Sequence, residues 1–310
     1  MSFASTLVKL VFTIADHIRD LGIAPAKQIT VHKDLNYGEH GMPQQSLDLH
    51  VPDSAAEGLP LIVSIHGGGW VYGNKEVYHN YCDLLAGLGF AVVNANYRLA
   101  PENKFPVPLQ DINRLMHWLV ENQASYRYDL SNLFVVADSA GAQIACQYAA
   151  MLTNPAYAAR FAFELPTVAI RGMGLNFGLY DWVNHITEPA FPLWLRAGLA
   201  QLGADYVGEF TPASLQQLAF WKAITPVFPP CFIAYGSDDL LVKPFIPFEE
   251  ALRSNGVIFK VEMYRHPNRQ PGHVFHLDVR NPEGRRLNHD EMAFFHSVIK
   301  NATTVPSGSS

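Results

Sequence analysis

Strand-like apolar runs alternate with amphipathic stretches along most of this chain. Four such runs occupy residues 61–65, 133–136, 231–235 and 258–264. The first three are almost wholly apolar, which is typical of strands buried on both faces. Stretches with helical spacing lie between the runs, such as "QDINRLMHWLVENQ" and the Ala-rich "SAGAQIACQYAAML". Buried strands that alternate with helices predict an α/β fold with a mostly parallel central sheet and helices on both faces.

Two segments interrupt this alternation. In the first, apolar residues recur at helical spacing, and they are Phe3, Leu7, Leu10, Val11, Ile14, Ile18 and Leu21. This spacing predicts an amphipathic helix whose apolar face packs on the protein. The stretch is too short and too polar to span a bilayer and has no cleavage-site pattern, so we expect no stable membrane insertion. The second segment, residues 178–225, is rich in aromatic residues and prolines, and long insertions of this kind often form lids.

Composition narrows the class of protein. The chain has 310 residues, 49% of them hydrophobic and 16% charged, which suits a large core in one domain spanning residues 1–310. Its formal charge is −6 and its Lys and Arg residues are scattered, so we expect no nucleic-acid partner. Three widely spaced cysteines predict buried free thiols in a reducing compartment, hence a cytoplasmic protein. The small, polar residues 301–310 predict a flexible tail.

Residues capable of chemistry follow the predicted strands, where open parallel sheets bind their ligands. The glycine loop "HGGGW" (His66 to Trp70) follows residues 61–65, and its backbone can present N–H groups to a ligand. Ser139 in "ADSAG" follows residues 133–136 and precedes a helix. A serine on such a strand-to-helix turn is exposed as a nucleophile in hydrolases. Either motif alone is weak evidence, since small residues are common in turns.

Acidic and imidazole groups follow two later strands. "YGSDDLLV" supplies Asp238 and Asp239, and "PGHVFHLD" supplies His273 and His276. A lone Asp at a strand end is often a helix cap, and a lone His is often structural. Here a serine, an acid and a histidine occur in the order of a hydrolase triad, with a glycine loop upstream. Their joint occurrence predicts catalysis. Asp239 is the alternative to Asp238 as the acid, and His276 is the alternative to His273 as the base.

The chain resembles the hormone-sensitive-lipase-type carboxylesterases of the α/β-hydrolase superfamily. The matching stretches are "HGGGW", "YRLAPENKFPVPLQD", "DSAG", "PPCFIAYGSDDLLV" and "HVFH", within residues 47–295. The resemblance implies the α/β-hydrolase fold with an N-terminal helical cap, about residues 1–35, and a second cap segment, about residues 178–225. The chain departs from the family at Ala137, Ala142 and Val274, where glycine is usual.

The resemblance also implies a function. It points to a serine carboxylesterase that hydrolyses short- to medium-chain acyl esters through an acyl-enzyme, with Ser139, Asp238 and His273 as the triad. Asp238 is preferred because family members carry the acid two positions before a Leu, here Leu240, and the "HVFH" pattern favours His273 over His276. The expected oxyanion-binding N–H groups are those of Gly68, Gly69 and Ala140. The candidates to line the substrate pocket are Trp70, Trp182 and Trp194.

The expected partner is a small-molecule ester, and a homodimer is left open. No step needs a cofactor or a metal. His266, His273 and His276 match no zinc pattern, and a histidine that acts as a base cannot also be a ligand. Two alternatives share the scaffold, namely an amidase or aryl formamidase and a non-catalytic small-molecule-binding protein.

Overall fold

One eight-stranded sheet forms the centre of the computed structural model, which describes residues 1–38, 41–54, 58–187, 189, 191–239, 241–242, 245–265 and 272–303. The strands are β1 (Ile29–Asn36), β2 (Ser46–Pro52), β3 (Leu59–Ile65), β4 (Ala91–Ala95), β5 (Tyr128–Asp138), β6 (Ile170–Asn176), β7 (Cys231–Gly236) and β8 (Phe259–Tyr264). Their order in the sheet is β1-β2-β4-β3-β5-β6-β7-β8. The β1–β2 and β2–β4 pairs are antiparallel, and the other pairs are parallel. The predicted mostly parallel sheet is confirmed.

Helices cover both faces of this sheet. They are α1 (Phe3–Asp20), α2 (Lys75–Gly87), α3 (Val107–Tyr126), α4 (Ser139–Thr153), α5 (Pro155–Ala158), α6 (Trp182–His185), α7 (Leu193–Val207), α8 (Pro212–Leu218), α9 (Ile246–Ser254) and α10 (Pro282–Thr303). Successive residues of a strand point to opposite faces, so β3 contributes to two cores. Leu61, Val63 and Ile65 pack with α3 and α4, whereas Ile62 packs with α2 and α10. Residues 304–310 of the predicted tail lie outside the described residues.

The N-terminal helix forms as predicted, but its orientation differs from the prediction. Its apolar face is exposed to solvent, with Phe3 at 76% and Ile18 at 63% of full exposure. The polar face contacts the protein instead, because Asp16 accepts a hydrogen bond from the Tyr72 hydroxyl and Arg19 donates to the Val77 carbonyl. Hydrogen bonds from charged groups therefore fix this helix, together with the buried Ala4 and the half-buried Val8, which pack on the core. No helix in the described part of the chain is long and apolar enough to cross a membrane.

The first predicted cap segment is helical over only part of its length. Helix α1 ends at Asp20, and residues 29–36 form the edge strand β1. The alternation of polar and apolar residues in "ITVHKDLN" suits an antiparallel edge strand with one solvated face. The second segment contains α6, α7 and α8, and its Asp205 accepts hydrogen bonds from the Ser2 backbone N–H and the Ser5 hydroxyl. The two segments thus contact each other directly.

All three cysteines are buried free thiols, as the sequence predicts. Cys82 lies on α2, Cys146 on α4 and Cys231 at the start of β7. Burial in apolar surroundings raises the pKa of each thiol above its ordinary value, so these groups stay protonated at neutral pH. Their role in this fold is packing.

Candidate active site

Ser139 stands on a sharp turn where β5 passes directly into α4. Its backbone φ is +50°, a left-handed value that non-glycine residues rarely adopt, and the residue is 5% exposed. The crossing of strand and helix is very close, because a Cβ atom on Gly141 would lie 2.4 Å from the carbonyl oxygens of both Ile65 and His66. The small residues around Ser139 therefore allow a backbone turn that aims the serine side chain away from the core.

This close crossing predicts that Gly141→Ala destabilises the fold. The added methyl group would meet two backbone carbonyls of the β3 end, which cannot move independently of the sheet. We expect the free energy of unfolding to fall by about 3 kcal/mol or more, measured by urea denaturation. Gly87→Ala is the matched control, since a Cβ at Gly87 on α2 meets no atom within 4 Å. Equal stability of the two variants would contradict the crossing geometry.

The structure brings Ser139, His273 and Asp239 into one hydrogen-bonded chain. Ser139 Oγ lies 2.9 Å from His273 Nε2, and His273 Nδ1 lies 2.7 Å from Asp239 Oδ2. The other carboxylate oxygen of Asp239 accepts hydrogen bonds from the backbone N–H groups of Leu241, at 2.8 Å, and Val242, at 3.2 Å. These backbone donors fix the carboxylate, so Oδ2 faces the imidazole and Nδ1 carries the ring proton. The remaining ring nitrogen is then free to accept the serine proton.

The expectation that Asp238 contacts His273 is wrong. Strand β7 ends at Gly236, and in the turn that follows Asp238 is exposed and accepts a hydrogen bond from the Ser237 hydroxyl. The Asp239 side chain points inward and is 1% exposed. Spacing to a leucine could not separate the two, because Asp238 precedes Leu240 by two positions and Asp239 precedes Leu241 by the same interval. The direction of the turn decides between them.

Of the two candidate histidines, His273 rather than His276 contacts Ser139. His276 is buried behind it, with its ring stacked on Phe177 at 5.4 Å. Burial lowers the pKa of His276 to about 3, with a smaller contribution from His273, so its ring stays neutral. Val274, where relatives have glycine, adopts a left-handed φ of +53°. His266 lies outside the described residues.

The glycine loop is held against β5 by a buried carboxylate. Gly67 N–H donates both to the Tyr78 hydroxyl, at 2.9 Å, and to Asp138 Oδ1, at 3.2 Å, and the Tyr78 hydroxyl donates to the same Oδ1 at 2.7 Å. Burial raises the pKa of Asp138 to about 6, although hydrogen bonding from Tyr78 opposes this shift. Asp138 and Tyr78 were not among the site residues predicted from sequence. The available signal was an acid at the strand end, immediately before Ser139.

Two backbone segments meet beside the serine, the glycine loop and the start of α4; a Cβ on Gly67 would lie 3.1 Å from Ser139 Cβ. Gly68 and Gly69 have φ values of +108° and +61°, left-handed conformations that glycine adopts without strain. Ala140 is the second residue of α4, and the Asp138 side chain does not cap this helix. The first N–H groups of an uncapped helix lack intrahelical partners, so they remain suited to binding an anion. A Cβ on Gly68 would lie 2.2 Å from the Tyr72 carbonyl oxygen, which requires glycine at this position.

A pocket of about 240 Å³ opens onto Ser139 and His273. Its apolar walls come from α1 and from the segment after His273, including Phe12, Val274 and Phe275. Asp16 and Arg19 of α1 supply its charged edge, where they pair at 2.7 Å. The helix whose apolar face is exposed therefore also forms one wall of the site.

The three tryptophans expected in the pocket do not line it. Trp70 is fully buried, stacks on Tyr206 at 4.8 Å and donates from its indole N–H to Gln143 at 3.0 Å. Trp182 is 1% exposed and packs against Trp70, while Trp194 is 65% exposed on α7. Trp70 and Trp182 thus join α7 to the core beneath it. Aromatic composition of the insertion predicted apolar surfaces, but not which of them face a ligand.

Several curated proteins are similar to this chain in sequence. Esterase LipQ of Mycobacterium tuberculosis is 27% identical over 234 residues, 72% of this chain and 53% of that protein. Tuliposide A-converting enzyme 1 of Tulipa gesneriana is 30% identical over 255 residues, 75% and 61% of the two chains. This chain thus spans about half to three fifths of the length of these two relatives. Carboxylesterase NlhH of M. tuberculosis is 26% identical over 284 residues, 85% and 84% of the two chains.

Solved structures and a family profile agree on the fold. Esterase B from Lactobacillus rhamnosis superposes with a TM-score of 0.87 at 21% identity, covering 99% of this chain and 98% of that one. A bacterial heroin esterase superposes with a TM-score of 0.74 at 19% identity, covering 94% and 90%. The profile of the alpha/beta hydrolase fold family matches residues 62–277, which include Ser139, Asp239 and His273. The chain therefore belongs to the α/β-hydrolase-fold family, in its hormone-sensitive-lipase-type branch.

Proposed function

We propose that this protein is a serine carboxylesterase that hydrolyses short- to medium-chain acyl esters through an acyl-enzyme. The observation that carries the proposal is the chain of contacts from Ser139 Oγ to His273 Nε2, at 2.9 Å, and from His273 Nδ1 to Asp239 Oδ2, at 2.7 Å. A serine activated by an oriented histidine is the arrangement required for acyl transfer. The names of LipQ and NlhH as an esterase and a carboxylesterase support the ester as the substrate class.

Acylation begins when Ser139 Oγ attacks the ester carbonyl carbon. His273 Nε2 takes the hydroxyl proton as the new C–O bond forms, and Asp239 stabilises the resulting imidazolium. The same proton then passes from His273 to the alcohol oxygen as its bond to carbon breaks. A water molecule next gives a proton to His273 and attacks the acyl carbon. His273 then returns this proton to Ser139 Oγ as the bond from Oγ to the acyl carbon breaks, which releases the acid and restores Ser139. Every proton transfer uses His273 Nε2, while Nδ1 keeps its hydrogen bond to Asp239.

The tetrahedral intermediates of both steps carry a negative oxygen. We assign its stabilisation to the backbone N–H groups of Gly68, Gly69 and Ala140. The left-handed φ values of the two glycines and the uncapped start of α4 support this role, because such segments can present backbone N–H groups to an anion. Loss of one such donor typically costs about 3 kcal/mol of transition-state stabilisation. We assign Asp138 and Tyr78 an indirect role, because they position the glycine loop through their hydrogen bonds with Gly67.

We assign α1 and α6–α8 to a cap over this site. Phe12 and Arg19 of α1 line the pocket, and Leu202 of α7 lies 3.6 Å from the position of a Cβ on Gly69. The buried pair of Trp70 and Trp182 anchors this segment to the glycine loop. The cap and the loop therefore define the space for the substrate jointly.

Covalent labelling of Ser139 tests the function directly. We expect a fluorophosphonate probe to label the native protein, because phosphonylation requires an activated serine oxygen. Ser139→Ala should abolish labelling, while Ser237→Ala, which removes an exposed serine hydroxyl, should leave it unchanged. Mass spectrometry of the labelled peptide identifies the site. An unlabelled native protein would instead indicate a binding protein that has lost catalysis.

The pocket size predicts a preference for short acyl chains. Its volume of about 240 Å³ lies below the ~300–1,000 Å³ of sites that enclose drug-sized ligands. We expect kcat/KM for p-nitrophenyl acetate and butyrate to exceed that for the palmitate ester by at least about tenfold, equivalent to roughly 1.4 kcal/mol. Steady-state kinetics below the solubility limit of each ester provide the measurement. Faster turnover of the palmitate ester would refute the assignment of chain length, and hydrolysis of N-acyl amides alone would refute the ester.

A further inference from the structure

A second cluster of ligand-type side chains lies where β2 meets α2, separate from Ser139 and His273. Asp48 and His50 are two positions apart on β2, and His79 and Asp83 are four apart on α2, so each pair shares one face of its element. One donor atom from each of Asp48, His50 and His79 lies within 4.8 Å of the other two. We infer that this cluster binds a divalent transition-metal ion, with Zn²⁺ the best match.

The state of the buried imidazole supports this inference. His50 is completely buried, and its Nδ1 lies 2.7 Å from Asp83 Oδ1. Because a carboxylate can only accept, Nδ1 carries the proton and Nε2 presents a lone pair. Nε2 is buried and has no hydrogen-bond partner among the described residues. A carboxylate that fixes the tautomer of a histidine, and so exposes its other nitrogen to a metal, is the usual outer-shell arrangement of zinc sites.

The remaining ligands can reach the same point. The rings of His50 and His79 lie 5.1 Å apart between centroids, and the His79 side chain, 31% exposed, is less confined than that of His50. Asp48 uses Oδ1 for its contacts with the Asp34 backbone N–H and with Lys75, which leaves Oδ2 as a ligand. Two imidazole nitrogens and one carboxylate oxygen, completed by water, form a four-coordinate zinc set. Binding would draw the donor atoms together to about 3.3 Å, the spacing of a tetrahedral site.

Charge at this corner favours a further cation. Four carboxylates lie there, those of Asp34, Asp48, Glu76 and Asp83. The Lys75 ammonium lies within 3.0 Å of three of them, whereas Asp83 pairs with the two imidazoles of His50 and His79. Lys33 also places a positive charge near His79. The four carboxylate charges still exceed the two positive charges of Lys33 and Lys75. A divalent ion would balance the excess negative charge and would bind the unpartnered Nε2 of His50.

Metal titration of the full-length protein tests the site. After chelation and removal of the chelator, calorimetry with ZnCl₂ should give one ion per chain, and Co²⁺ should give the visible absorption of a four-coordinate site. His79→Gln removes a partly exposed ligand and should weaken Zn²⁺ binding by at least about tenfold. His289→Gln, at an exposed position on α10, is the matched control and should bind as the native protein does. Circular dichroism verifies that both variants are folded.

Two results would overturn the inference. One is the absence of stoichiometric binding at an excess of ZnCl₂, and the other is native affinity in folded His79→Gln. Because the readout is binding rather than turnover, failure of the proposed esterase activity would not affect either result. A rise in melting temperature with Zn²⁺ in the native protein and its loss in His79→Gln would provide independent support.

Discussion

Replacement of Asp239 by Asn is expected to lower kcat/KM for p-nitrophenyl butyrate by about 10³- to 10⁴-fold. The Asn carbonyl would keep the hydrogen bonds from the Leu241 and Val242 backbones, because only an oxygen can accept them. The amide NH₂ would then face His273 Nδ1, where Asp239 Oδ2 lies at 2.7 Å in the native protein. Two donors cannot share this contact, so the ring would move its proton to Nε2 and could no longer accept that of Ser139.

Asp238→Asn is the matched control for this substitution. Asp238 is the adjacent residue and carries the same charge, but it is exposed and accepts a hydrogen bond from the Ser237 hydroxyl instead of contacting His273. We expect its kcat/KM to remain within about twofold of the native value, since surface substitutions rarely change more. Equal melting curves for the two purified variants would show that a difference in kcat/KM comes from the catalytic chemistry and not from a loss of folding. The reverse pattern, with Asp238→Asn inactive and Asp239→Asn active, would refute the assignment.

Glu291→Gln is expected to change the pH dependence of stability more than any other single carboxyl substitution in the described structure. Glu291 on α10 is completely buried and accepts a hydrogen bond from the Asn176 side chain at 2.9 Å. Burial raises its pKa from 4.5 to about 8, while the Asn176 contact opposes the shift. Between these two values the native protein keeps a proton that the unfolded chain releases, so rising pH favours unfolding.

The size of this effect follows from the two pKa values. From pH 5 to pH 8.5 the carboxyl of Glu291 alone should lower the free energy of unfolding by about 4 kcal/mol, and this loss ends above pH 8 as the native group ionises. Glutamine has the same shape but no titrating proton, so Glu291→Gln should lack this decline. Urea denaturation at pH 5, 7 and 8.5 measures it, with exposed Glu250→Gln as the control. Parallel pH dependence in native protein and Glu291→Gln would contradict a raised pKa for Glu291.

The buried parallel strands could be predicted from sequence because each has a local signal. Apolar runs that end in glycine or polar residues predict β3, β5 and β7, and these strands form at those positions. Strand β1 was not predicted, because a solvated edge strand needs only weak alternation and its polar residues resemble a loop. Residues Ser139 and His273 were also identified as candidates from sequence, since the order of hydrolase motifs along the chain is fixed.

Orientation required the tertiary structure. The periodicity of residues 3–21 predicts a helix with an apolar face, but it does not specify what that face contacts. Packing shows that its polar side binds the protein through Asp16 and Arg19. The same limit applies to Trp70 and Trp182, whose apolar character is a property of sequence but whose burial is a property of packing. Contacts between residues distant in the chain leave no periodic signal.

By itself, the sequence determined the fold class, the nucleophile candidate at the end of β5 and the presence of an acid after β7. Only the tertiary structure decided between Asp238 and Asp239, because both stand two positions before a leucine and both follow the same strand. The physical reason is the path of the turn after Gly236, which exposes Asp238 and turns Asp239 inward to His273. Adjacent residues have nearly the same sequence context, yet their side chains can point in opposite directions.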